Sequence, residues 1–167
     1  MTDMLTPQRR SWNMSRIRSS DTKPEMLMRS LLHRIGFRFR VHCRNLPGRP
    51  DIVLPRYRTV IFIHGCFWHQ HAGCTEASRP SSNTRYWSSK LEANVKRDRR
   101  HRRLLRQKGW RALRFWECEV EKNPAREARR IARVLRSHAA ESAVYVLPSR
   151  RELLRAAEAR AGYNKLK

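Results

Sequence analysis

The sequence predicts an α/β domain with a mixed central β-sheet flanked by helices. Three observations predict it. Two short, almost wholly apolar runs at residues 51–54 and 59–63 have the length and β-branched content of buried strands. A helix-period stripe precedes them and a long charged helix follows, ending at Gly109. A further strand over 110–116 then leads into a helix opened by Asn123-Pro124. Helix, three strands, helix, strand, helix is the order of a layered α/β unit.

The first helix starts at Thr22-Lys23-Pro24-Glu25. Thr22 suits the N-cap, Glu25 stands three residues later as in a capping box, and Pro24 fits the first turn. Met28, Leu31, Leu32 and Ile35 form its apolar stripe, and Gly36 stops it. Residues 37–43 alternate apolar and polar, the pattern of a half-buried strand, with Cys43 on the apolar parity. Leu46-Pro47-Gly48-Arg49-Pro50 is a rigid connection to the apolar pair, which turns at residues 55–58. Residues 75–86 read as a Ser/Thr/Arg/Pro-rich loop closed by Tyr86-Trp87. In the long helix Leu91, Val95 and Leu105 mark the inner side, with Asn94 and Asp98 on that side. In the helix after Pro124, Ala128, Ile131 and Leu135 point inward, to about residue 137. Residues 1–20 read as a flexible basic arm, 21–138 as the folded domain, and 139–167 as an extension without assigned role. Within that extension, 144–147 suits a short edge strand and Ser149 to Glu152 a second capping box.

The balance of 38 Lys/Arg against 14 Asp/Glu gives a formal charge of +24 on 167 residues. A field of that size predicts an anionic polymer as partner. No apolar run approaches the roughly 20 residues that span a bilayer, so a cytoplasmic protein is expected rather than a membrane one. Four cysteines in a reducing compartment favour metal binding or free thiols over disulfides. The run from Lys96 to Arg103 carries Lys96, Arg97, Arg99, Arg100, Arg102 and Arg103 nearly unopposed, which argues for phosphate contact.

Chemistry concentrates between Pro47 and Cys74. Cys66, His71 and Cys74 supply three soft ligands within nine residues, and Cys118, at the end of a strand, can return as a fourth. Such a Cys3His set suits structural Zn2+; Cys43 is the rival fourth ligand. Asp51 opens one strand while Ile63-His64 closes the next, so a hairpin brings them to one edge. A carboxylate and the Ile63 carbonyl there can hold Mg2+. His69, pinned between the soft ligands, is suited to take a proton from an attacking water. His64 can bond the phosphate or a metal water, and Glu25 can orient further waters. Phe67 and Trp68, on a tight polar loop, have the character of wedges between base pairs, and Trp87 can join them.

The motifs P-G-R-P-D-I-V-L, V-I-F-I-H-G-C-F-W-H-x-H, N-V-x-R-D-x-R and G-W-x-x-L-x-x-W-E-C together resemble the very-short-patch repair (Vsr) endonucleases, over roughly residues 8–138. The resemblance implies a fold similar to type II restriction endonucleases. It implies a Mg2+-dependent nick 5′ to the thymine of a T·G mismatch left by deamination of 5-methylcytosine. It casts Asp51 and the Ile63 carbonyl as Mg2+ ligands, His69 as base, and Glu25 and His64 as assistants. Cys66, His71, Cys74 and Cys118 match the zinc set, and Phe67, Trp68 and Trp87 the intercalating aromatics. Arg97, Arg99 and Arg100 are expected on DNA. A monomer acting on mismatched duplex is implied, with mismatch-repair proteins as candidate partners. Two other readings compete: a sequence-specific nuclease cutting both strands, and a non-catalytic zinc-stapled DNA-binding module.

Overall fold

The computed structural model describes residues 20–142, together with positions 6, 8, 9, 12, 15 and 16, and side chains as far as residue 137. Most of the expected N-terminal arm, the strand at 144–147 and the capping box at Ser149 therefore lie outside the described residues. Backbone contacts divide the chain into two units, Met1–Arg133 and Val134–Lys167.

Helix α1 spans Lys23–Arg34. Glu25 does cap it, but reaches one residue further back than a capping box: it accepts the Thr22 hydroxyl at 2.8 Å and the Asp21 N–H at 3.0 Å. Met28 and Leu32 are fully buried, whereas Ile35 is 42% exposed. The apolar stripe stops short because Ile35 is the C-cap, already turning out of the helix ahead of Gly36 at φ +95°.

Residues 37–43 alternate in burial as expected but do not form a strand. A single bridge joins Arg40 to Val53 through two 2.8 Å backbone hydrogen bonds. His42 then adopts φ +55°, which breaks the extended path before a second rung can form. Among the described residues the sheet is thus three strands: β1 (Ile52–Leu54), β2 (Thr59–His64) and β3 (Arg111–Trp116), in that spatial order. β1 and β2 form an antiparallel hairpin across the 3-10 turn Pro55–Tyr57, pairing Ile52 with Ile61. β2 and β3 are parallel, pairing His64 with Trp116. The sheet is therefore mixed, and β2 at its centre is buried throughout, which explains its unbroken apolar run.

The β2-to-β3 crossover carries a four-residue helix α2 (Cys66–His69), a 3-10 turn (Thr75–Ala77) and the long helix α3 (Thr84–Gln107). Tyr86 and Trp87 fall in the first turn of α3 rather than closing a loop. Short helix α4 (Glu117–Lys122) packs on α1, and α5 spans Pro124–Ser142. Period-two alternation along β2 sets the layers. Val60 and Phe62 join Val53 and Leu105 of α3 in one cluster, with Cys43, Leu46, Trp110 and Ala112 packed against it. His64 shares their parity and so turns toward α3.

Candidate active site and metal centre

Asp51 stands just before β1, and its backbone N–H still reaches Ile61 O at 3.1 Å. β1 has no residue left to pair Ile63, and the Asp51 side chain fills that role: Oδ2 accepts the Ile63 N–H at 2.7 Å. In an antiparallel pair the N–H and C=O of one residue point the same way, so the Ile63 carbonyl shares this edge with the second carboxylate oxygen. Burial pushes the Asp51 carboxyl up to about 7, against the opposing Ile63 hydrogen bond. A buried, hard oxygen pair at a strand end suits a divalent cation, whose charge would restore the carboxylate. Glu25, 4% exposed, lines the same cleft; Arg29 holds it at 2.8 Å and also binds Asp21.

Gly65 ends β2 and α2 turns the chain back. Four residues cannot sustain a helix by themselves. Outside contacts fix it: Glu117 accepts the Cys66 N–H at 2.6 Å, and Asn94 of α3 donates to the Trp68 carbonyl at 3.1 Å. His69 closes α2. Its Nδ1 meets Asp98 Oδ2 at 2.5 Å, which assigns the proton to Nδ1 and leaves Nε2 as the accepting nitrogen. Burial pushes the Asp98 carboxyl up, but the His69 hydrogen bond with the charges of His69, His64 and Arg97 outweighs it and holds it below the usual range. His64 stacks on His69 with centroids 3.8 Å apart, its Nδ1 4.0 Å from the same carboxylate. Burial drives the His64 imidazole down to about 3, so it is neutral at physiological pH. Asp51 and His69 line one cleft, close enough for the imidazole's charge to act on the carboxyl.

Cys66, at the other end of α2, is fully buried. Its Sγ lies 3.4 Å from His71 Nδ1, as does Cys118 Sγ, while Cys74 and Cys118 sulfurs are 3.9 Å apart. All four ligand atoms fall within 4.8 Å of one another. Metal–ligand bonds of about 2.3 Å to sulfur and 2.0 Å to nitrogen give tetrahedral edges of roughly 3.5–3.8 Å, so the set fits a four-coordinate ion. Trp116 stacks on His71 at 4.1 Å and fixes its ring. Burial pushes the Cys66 thiol up to about 12, so a cation is needed to ionise it. Cys43 belongs to the hydrophobic cluster and not to this group.

The cleft encloses about 1010 Å³. Lys23, Arg44, Arg49, Arg97, Arg102 and Arg114 border it, a cationic rim around the four carboxylates Glu25, Asp51, Asp98 and Glu117. Arg99 and Arg100 are exposed but do not border it. Beside it Phe67, Trp68 and Trp87 pack edge-on or tilted, with centroids 5.0–6.1 Å apart, each partly exposed. The candidate residues named from sequence thus fall into one cleft, one ligand set and one aromatic ridge, apart from those two arginines. Sequence reading gave no role to Asp98 or Glu117. The long helix placed Asp98 on its inner side, an ionisable group among apolar ones, and that was the available signal.

A basic cleft with an imidazole–carboxylate pair facing a buried carboxylate is the make-up of an enzyme that hydrolyses phosphodiesters. Residues 2–75 match the family model described as DNA mismatch endonuclease Vsr. The chain is 52% identical over 129 residues to the type II nicking enzyme V.XorIIP of Xanthomonas oryzae pv. oryzae, covering 77% of this chain and 94% of that protein. It is 43% identical over 136 residues to the type II nicking enzyme V.NmeAIP of Neisseria meningitidis, covering 81% and 96%. It is 47% identical over 120 residues to the DNA mismatch endonuclease Vsr of Escherichia coli, covering 72% and 76%. The chain belongs to the Vsr endonuclease family and is a nicking DNA endonuclease of DNA repair. Among the described residues no helix is long and apolar enough to cross a membrane.

Proposed function

We propose that this protein nicks one strand of duplex DNA 5′ to the thymine of a T·G mismatch left by deamination of 5-methylcytosine. The observation that carries the reading is the His69–Asp98 pair, set in a cationic cleft with Asp51 and flanked by three aromatic rings. Asp51 and the Ile63 carbonyl are the residues that would hold Mg2+. That ion would polarise the scissile phosphate and stabilise the leaving oxygen. Asp98 keeps the His69 proton on Nδ1. Nε2 then takes a proton from the attacking water, and the carboxylate stabilises the imidazolium that results. Neutral His64 stacks under that ring and holds its plane. Glu25, anchored by Arg29, faces the cleft where it can orient water. Arg97, Arg102 and Arg114 bind flanking phosphates. Phe67, Trp68 and Trp87 wedge into the stack, which costs a few kcal/mol per step and least where pairing is already weak.

Cys66, His71, Cys74 and Cys118 hold Zn2+, which braces the elbow presenting His69. The hairpin carrying Asp51 on a mixed sheet supports a restriction-endonuclease-like fold. The protein acts as a monomer, and a DNA-acting protein of this charge works on the nucleoid in the cytoplasm. Residues 1–20 act as a basic arm ahead of the catalytic domain, and 139–167 as an appended extension. Purified protein, Mg2+ and paired duplexes with and without one T·G pair test the reading. One-strand cutting of the mismatched duplex alone is expected. Equal cutting of both duplexes, or scission of both strands, overturns it in favour of a restriction-type nuclease; binding without cutting overturns it in favour of a DNA-binding module.

A further inference from the structure

The cationic run of α3 divides between two faces. Asn94, Arg97, Asp98, His101 and Arg102 border the cleft, on the side that also buries Leu91 and Leu105. At 100° per residue, Lys96, Arg99, Arg100 and Arg103 fall on the opposite side, and all four are exposed. None of them has a side-chain hydrogen bond or ion pair among the described residues. Arg126 and Arg130 of α5, by contrast, are paired with Glu127.

We infer that this outward face of α3 is a second duplex-binding surface, which grips a DNA segment other than the one in the cleft. The four cations occupy two successive turns, about 10 Å of helix, at a mean axial spacing of about 3.5 Å. Duplex DNA offers one negative charge per about 1.7 Å of axis, so a phosphate lies in reach of each. Glu92 is the one acid on this face, and its apolar side chains are Ala93 and, at its edge in the first turn of the helix, the half-exposed Tyr86. A protein partner would need an aromatic or aliphatic anchor at the centre of its contact, and the face has none; a phosphate backbone needs only charge. Two separate cationic faces let one molecule hold two segments at once and pass between them without release. The inference rests on the cleft holding the duplex that is nicked.

The test uses the full chain and two duplexes. Protein is bound to a surface-held T·G duplex of about 16 base pairs, one and a half helical turns, and a fluorescent, fully paired duplex is added. The wild-type complex should capture the second duplex, and rising salt should release it first. In Lys96→Gln/Arg103→Gln, capture should fall about fivefold while the melting temperature and single-turnover nicking of the short duplex stay essentially unchanged. Arg103→Lys, with Lys96 kept, should retain capture. No capture by the wild-type complex overturns the inference. So does a variant that loses nicking and affinity on the short duplex in step with capture, since those cations would then serve the cleft. Capture that persists while cutting shows no preference for T·G supports this surface and faults the mismatch reading instead.

Discussion

The two ends of α2 serve opposite chemistries. Cys66 at its start belongs to a set of three sulfurs and one imidazole; His69 at its end belongs to a set of two imidazoles and one carboxylate, Asp98. The first set is soft, closed and capped by Trp116. The second opens into a cleft of about 1010 Å³, which also holds Asp51, a carboxylate whose charge the fold disfavours. In the proposed function, one end supplies stability and the other stores a cost that reactivity requires. Because α2 is too short to hold its own shape, the reactive end depends on the structural end, and not the reverse.

Substituting Asp51 with Asn is the sharpest way to test that asymmetry. Single-turnover nicking should fall about 10³-fold, with DNA affinity kept. The fold should at the same time become more stable. The folded carboxyl titrates at about 7, above its ordinary value of 3.8, so its contribution is lost as pH rises from about 4 through 7. The Asn variant should thus be more stable on the order of 2 kcal/mol at pH 8 and equal to wild type near pH 3, read by thermal melts without added metal. Equal stability at both pH values would remove the cost from the reactive end.

Replacing Cys118 with Ser should strip the bound zinc and cost about 3 kcal/mol of stability, with nicking falling alongside because His69 loses its brace. Cys43→Ser should leave zinc content untouched. Unchanged zinc in the first variant, measured by metal analysis, would dissolve the contrast between the two ends. Asp98→Asn should slow the chemical step on the order of 10²-fold while moving the melting temperature little, since it disturbs the proton on His69 and not the core. A large drop in melting temperature would make Asp98 a structural partner instead. Smallest is Trp87→Ala, expected to weaken binding about tenfold, more on the mismatched duplex than on the paired one. Equal weakening on both would take Trp87 out of the wedge.

The ligand set was legible because three of its members lie close in sequence with metal-ligand spacing, and a fourth cysteine ended a predicted strand. Asp51 was legible because a carboxylate opening an apolar strand is costly unless something pairs it. Asp98 drew no role, since its partner His69 is 29 residues away and sequence does not show which turn of α3 faces the elbow. The strand expected over residues 37–43 failed for a related reason. Alternation reports half-burial, not pairing, and only the φ of His42 decides where the ladder stops. Charge density on α3 predicted contact with phosphate, but which cations share the cleft became clear only once Leu105 had set the helix's rotation against β2.

Composition and local pattern by themselves determined a basic α/β protein with a Cys/His cluster able to hold a metal, a carboxylate at a hairpin mouth and a group of partly exposed aromatics, because these follow from residue chemistry and short-range geometry. The tertiary structure alone decided that Asp98 meets His69, that Glu117 caps α2 and that α3 divides its arginines between two faces. Those facts depend on how a parallel crossover docks a long helix against the central strand, and the docking is set by packing between residues far apart in the chain.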